Sequence, residues 1–260
     1  MSTSALEGAD LKIERAKRHL ANLKEVTKRA FDPKSYEFRR EIDHKTGKHI
    51  LWADRLPVIA PEWSVVIGEV VFHLRSALDH LAYQLVILDK KIPTCKTQFP
   101  IRESTCNKNG KLMPLKGWLM PEIKSKKILA ALHECQPYQG GHNDPLWLLR
   151  VLNNIDKHRL MLVVVCVLDT DSMWWSSPIT PPPDVTIRTG ILEQGQPIGC
   201  IDFHGLQPPP EFDAHPSFSI AIDEAEAPMI SAEPFDGILE QLCRHVEIDI
   251  IEQRFRPMFS

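Results

Sequence analysis

Glu69, His73, Ser76 and His80 recur at steps of four, three and four residues through an apolar segment. At about 100° per helical residue, the last three fall within about 40° of Glu69. They form one polar stripe beside the apolar stripe of Val70, Leu74, Ala77 and Leu81, where side chains face a cleft between helices. A carboxylate and two imidazoles are the groups that proton transfer and metal binding use. Arg75 lies about 140° around the same helix from His80, with Asp79 as its i+4 neighbour. A second constellation, Asn153-Asn154-Ile155-Asp156-Lys157-His158-Arg159, is polar at every position but one. Lys157, His158 and Arg159 suit a helix C-terminus, where cations complement the dipole. A helix running straight into an apolar strand leaves such side chains little solvent, so Asn154, Asp156 and His158 join Glu69, His73, Arg75 and His80 as candidate site residues. Two chemistries follow from the residues alone. In the first, Glu69, His73 and His80 bind a metal together with Asp156 or His158. A di-iron bundle, however, uses Glu-x-x-His, whereas Glu69 and His73 are four apart, and the zinc motif His-Glu-x-x-His is absent. In the second, the polar residues form a buried network between two helices, with Asp79 and Asp156 pairing with Arg75, Lys157 or Arg159. Such a network needs matched donors and acceptors.

The elements that must position these residues are legible in the hydrophobic pattern. Leu11, Ala16, Leu20, Leu23 and Val26 recur through Asp10–Phe31 and predict a helix stopped by Asp32-Pro33. Alternation over Tyr36–Ile42 and His49–Ala53, about the Gly-bearing turn His44–Lys48, predicts a β-hairpin at about 35–56. Pro61 opens a long apolar helix reaching about Lys90, with proline tolerated in its first turn. Thr94–Pro121 is a loop region, Glu122–Cys135 a shorter helix, and Pro145 starts another that ends near Arg159. The pattern then changes to short apolar runs at Leu160–Leu168, Val185–Leu192, Pro197–Phe203 and Phe218–Ile222, separated by proline- and glycine-bearing stretches. Phe235–Phe255 closes the chain as an amphipathic helix. The fold class is therefore α+β. Residues 1–159 are mainly helical and carry the hairpin. Residues 160–260 hold a mostly antiparallel sheet, which the hairpin can join, and the closing helix.

Composition narrows the class of protein. With 43% hydrophobic and 25% charged residues, the 260-residue chain falls outside collagen-like, coiled-coil and disordered classes. Its longest uncharged apolar run, Leu160–Leu168, is too short to span a bilayer. Glu7, Asp10 and Glu14 leave no apolar signal core at the start, and a cytoplasmic protein without membrane partners is expected. Six scattered cysteines (95, 106, 135, 166, 200 and 243) contain no Cys-x-x-Cys pair, and Gly-x-Gly-x-x-Gly, P-loop and Gly-x-Ser-x-Gly motifs are absent, so no cofactor is expected. The net charge of −3 hides an asymmetry: residues 1–159 carry 27 Lys+Arg against 18 Asp+Glu, and residues 160–260 carry 4 against 16. The most basic stretch, 90–127, has ten basic residues against Glu103 and Glu122, which makes it the expected contact for a polyanion such as RNA.

The strings Gly68–Ala82, Phe99-Pro-Ile101, Gln136-Pro-Tyr138 and Leu146-Trp147…Asn154–Arg159 resemble a widespread bacterial family of uncharacterised proteins over roughly residues 60–165. More distantly, Arg75-Ser-Ala-Leu-Asp-His80 resembles the Arg-x4–6-His mark of the HEPN superfamily, which includes toxin and phage-defence ribonucleases. That resemblance implies a bundle of up-and-down helices and a homodimer in whose cleft RNA is cleaved without metal. His80 would be the acid/base and Arg75 the phosphate stabiliser. The spacing is not diagnostic by itself, because Arg39 and His44 repeat it, and Ser76 departs from the Asn, Asp or His common in active members.

Overall fold

A computed structural model of the protein describes residues 5–31, 35–106, 111–113, 119–141, 144–167, 181–188, 190–206, 218–231 and 233–259. It is an α+β fold of helices and antiparallel sheets. The described helices are α1 (Glu7–Ala30), α2 (Pro61–Leu88), α3 (Lys126–Glu134), the single turn α4 (Pro137–Gly140), α5 (Pro145–Asp156) and α6 (Phe235–Arg244). The strands are β1 (Glu37–Ile42), β2 (His49–Arg55), β3 (Val163–Val167), β4 (Asp184–Ile187), β5 (Gly190–Ile191), β6 (Pro197–Asp202) and β7 (Phe218–Ile222).

Local chemistry explains where the helices begin. Pro61 and Pro145 occupy first-turn positions, where a missing N–H costs nothing. Asp144 caps α5 by accepting from the Leu146 N–H at 2.8 Å, and the Ser125 hydroxyl caps α3 by accepting from Ile128. The closing segment differs from the sequence expectation: after α6 the chain winds as a π-helix over His245–Phe255. Its buried residues, Val246, Ile250, Ile251 and Phe255, recur at steps of four to five, which suits the wider i→i+5 turn better than an α-helix.

The chain folds as two compact units. One comprises residues 1–22, 65–161 and 238–260, and the other residues 23–64 and 162–237. These units cut across the halves 1–159 and 160–260. The first is built on α2, whose inward face (Ile67, Val70, Leu74, Leu78, Leu81 and Leu85) is wholly buried. The second holds both sheets. The β1–β2 hairpin pairs with β6, and β4 completes a four-stranded antiparallel sheet in the order β1-β2-β6-β4. Asp43 fixes the hairpin turn by accepting from the Thr46 hydroxyl at 2.7 Å, and Gly47 supplies the positive φ of 73°. The run Val185–Leu192 is not one strand: β4 joins this sheet, while β5 pairs with β3 in the other, ordered β5-β3-β7. Leu51, Ile198, Ile201 and Phe203 lead its core. No helix among the described residues is long and apolar enough to cross a membrane.

Candidate functional site

The polar residues of α2 divide between two neighbourhoods of the first unit. On one side Glu69 meets His19 of α1, Nδ1 to Oε2, at 2.9 Å. The His19 ring stacks on His73 with centroids 5.5 Å apart. The His73 Nδ1 is buried with no hydrogen-bond partner among the described residues. Burial, reinforced by Lys12, His19 and Arg15, pushes the His73 imidazole below its ordinary range. Asp156 of α5 meets α2 at Gly68, and a β-carbon there would overlap its carboxylate. Burial and, secondarily, the Glu69 charge hold the Asp156 carboxyl above its usual range. The His80 ring is exposed and lies against Gly8 of α1.

On the other side Arg75 points at the loop that follows α2. Its guanidinium donates to Asp79 Oδ1 at 2.8 Å and to the Phe99 carbonyl at 2.8 Å, while the Phe99 N–H donates to Asp79 Oδ1 at 2.8 Å. Burial pushes the Arg75 guanidinium down and the Asp79 carboxyl up, in each case against the attraction of the partner. The same loop is tied a second time by Gln136, which is fully buried. Its carbonyl accepts from the Arg102 N–H at 2.9 Å, and its amide donates to Pro100 at 3.0 Å and Leu132 at 2.9 Å. Residues 99–102 therefore form a fixed wall.

That wall faces α5 across a cleft of about 490 Å³. Arg150, Asn153, Asn154 and Lys157 line it from α5, and positions three, four and seven apart share a helical face. Arg75, Lys96 and Arg102 line it from the other side, with Glu122 as its one carboxylate among the described residues. Arg150 is paired with Glu103, as Arg75 is with Asp79. Five cations thus line the cleft, and two of them, Arg75 and Arg150, are held by the carboxylates Asp79 and Glu103. Asn153 is 5% exposed, and its carboxamide has no hydrogen-bond partner among the described residues. The Arg150 Nε is also buried without one.

The structure thus brings Glu69, His73 and Asp156 together, and places Arg75 and Asn154 on the same cleft. His80 and Arg75 address different neighbours, as their angular separation predicts, and His158 is exposed beyond the end of α5. No group of three His, Cys, Asp or Glu that could hold a metal occurs among the described residues. The candidate set omitted Lys96, Arg102, Arg150 and Asn153. The basic stretch 90–127 was the signal for the first two, whereas Lys108 and Lys116 of that stretch lie outside the described residues. Asn153 stood in the polar string but reads as a helix end. Comparison with family models, curated proteins and solved structures finds no match in any of the three.

Proposed function

We propose that the protein is a non-catalytic binding module, and that the cleft between α5 and the loop after α2 is its site for a phosphate-bearing anion. One observation carries this reading: five cationic side chains converge on a cleft of about 490 Å³ whose described lining holds a single carboxylate, Glu122. The volume lies in the range of small-molecule pockets, roughly 300–1,000 Å³. The wall is pre-organised, because Arg75, Asp79 and Gln136 fix the loop before any ligand arrives. No histidine or cysteine is among the described residues that line the cleft.

The HEPN resemblance adds little to this reading. Arg75 is engaged by Asp79 and Phe99, and His80 packs on Gly8. Inorganic pyrophosphate is the test probe. At one hundred times its Kd it should add about 2.7 kcal/mol, raising Tm by roughly 5–11 °C, and Lys96→Ala/Lys157→Ala should abolish the shift. Total RNA incubated in EDTA should stay intact with wild type and with His80→Ala alike. Absence of a pyrophosphate shift, or RNA cleavage lost in His80→Ala, overturns the reading.

A further inference from the structure

We infer that the ligand of this cleft is a nucleoside monophosphate, its phosphate held by the lysines and its base hydrogen-bonded by Asn153; the inference rests on the anion-binding reading above. Asn153 carries the argument. Asn153 is 5% exposed as a residue, and its carboxamide, which offers two N–H donors and an acceptor, meets no partner among the described residues. It lines the cleft, as does Arg150, whose buried Nε is likewise unpartnered. The Arg150 Nε is withdrawn from water and unpaired, which is destabilising, and a ligand acceptor that reaches it removes that penalty; the Asn153 carboxamide has no protein partner among the described residues to give up when a ligand arrives.

The required ligand has an N–H and an acceptor side by side on one edge. Each nucleobase has such an edge, and one carboxamide can pair with it through two bonds, as asparagine does with adenine. A trans peptide does not, because its N–H and C=O point to opposite sides. Pro100, Leu119 and Met120 also line the cleft. These apolar side chains suit the flat face of a base, whereas a sugar phosphate would turn hydroxyls toward them without partners. Lys96 and Lys157 supply the charge for the phosphate, and neither has a carboxylate partner within ion-pair distance among the described residues. An inorganic phosphate would leave most of the 490 Å³ filled by water.

Calorimetric titration of the full chain with the four ribonucleoside monophosphates, ribose 5-phosphate and an octaribonucleotide tests the inference. At least one nucleotide should bind ten or more times as tightly as ribose 5-phosphate, about 1.4 kcal/mol. Asn153→Leu keeps the side chain's approximate volume and removes its polar atoms. It should bring that ratio to about one and keep Tm at or above the wild-type value. Nucleotides that bind no better than ribose 5-phosphate overturn the base assignment while leaving the anion site standing. If neither binds and the octamer also fails, both readings fall. Tight octamer binding without mononucleotide binding overturns the inference in favour of a strand-reading site. A Tm loss in Asn153→Leu shows that its amide is structural, and also overturns it.

Discussion

Replacing Gly68 by alanine tests whether Asp156 is a packing element rather than a reactive carboxylate. The Asp156 carboxylate occupies the space that a β-carbon at residue 68 would fill, and its carbon atom is overlapped as well as an oxygen. Forcing a methyl group into such a packed contact costs about 1–3 kcal/mol. Alanine within a helix recovers roughly 0.5–1 kcal/mol relative to glycine. Gly68→Ala alone should therefore destabilise by about 0–2.5 kcal/mol. In the Asp156→Ala background the obstacle is gone, so the same substitution should stabilise by roughly 0.5–1 kcal/mol. The double-mutant cycle should thus show a coupling of about 1–3 kcal/mol, with the double variant more stable than the singles predict. Urea unfolding followed by far-ultraviolet circular dichroism measures all four corners. Additivity within about 0.5 kcal/mol would refute the reasoning, because it would mean that the carboxylate swings away freely and that Gly68 is not there to admit it.

Asp156→Asn should raise Tm at pH 7. The carboxyl's folded-state pKa is raised by burial and by Glu69, so its charged form is disfavoured above that value and the penalty vanishes below the unfolded one; the gain should fade as pH drops toward 4. A thermal series with no pH dependence in the difference would contradict the assignment. Asp79→Ala should destabilise by about 2–3 kcal/mol, less than the ~3–5 of a fully buried pair, because the Asp79 side chain is 35% exposed; thermal unfolding and pyrophosphate titration should show lost stability and weaker binding together. Gln136→Ala strands the Arg102 N–H and two carbonyls and should cost about 2–4 kcal/mol, read by urea unfolding. Glu122→Gln should tighten pyrophosphate binding a little over twofold, since unit charges about 8 Å apart in a water-like medium interact by about 0.5 kcal/mol; weaker binding in calorimetry would remove Glu122 from the cleft's charge balance.

The helices and most strands were legible in the sequence because their signals are local. Asp144 and Pro145 announce α5, Pro61 announces α2, and the alternation about Gly47 announces the hairpin. The misses arose where distant partners decide. Nothing within a few residues of Arg75 shows that its second acceptor is Phe99, 24 positions away. Likewise Gln136 binds residues 100 and 102, more than 30 positions back. Gly68 and Gly8 read as unremarkable helix positions, although each leaves room for a polar side chain from another helix. The split of Val185–Leu192 between sheets lay beyond reach for the same reason, because strand pairing is set by partners and not by the run itself.

The two polar neighbourhoods of α2 also explain why histidines and carboxylates on a core helix need not signal catalysis. A general base must reach both solvent-borne substrate and a proton it can take up. His73 is stacked on His19, its Nδ1 is sealed, and its protonation is disfavoured by burial and by the cations of α1. Asp156 is wedged against backbone, and Arg75 is spent on a carboxylate and a carbonyl that hold a loop. Each is a reactive group made into a positioning group by its contacts. What they position is the cleft: Arg75 and Asp79 fix one wall at Phe99, and Asp156 seats α5, whose other face presents Arg150, Asn153 and Lys157. On the cleft side of α5, by contrast, the Asn153 carboxamide and the Arg150 Nε have no hydrogen-bond partner among the described residues.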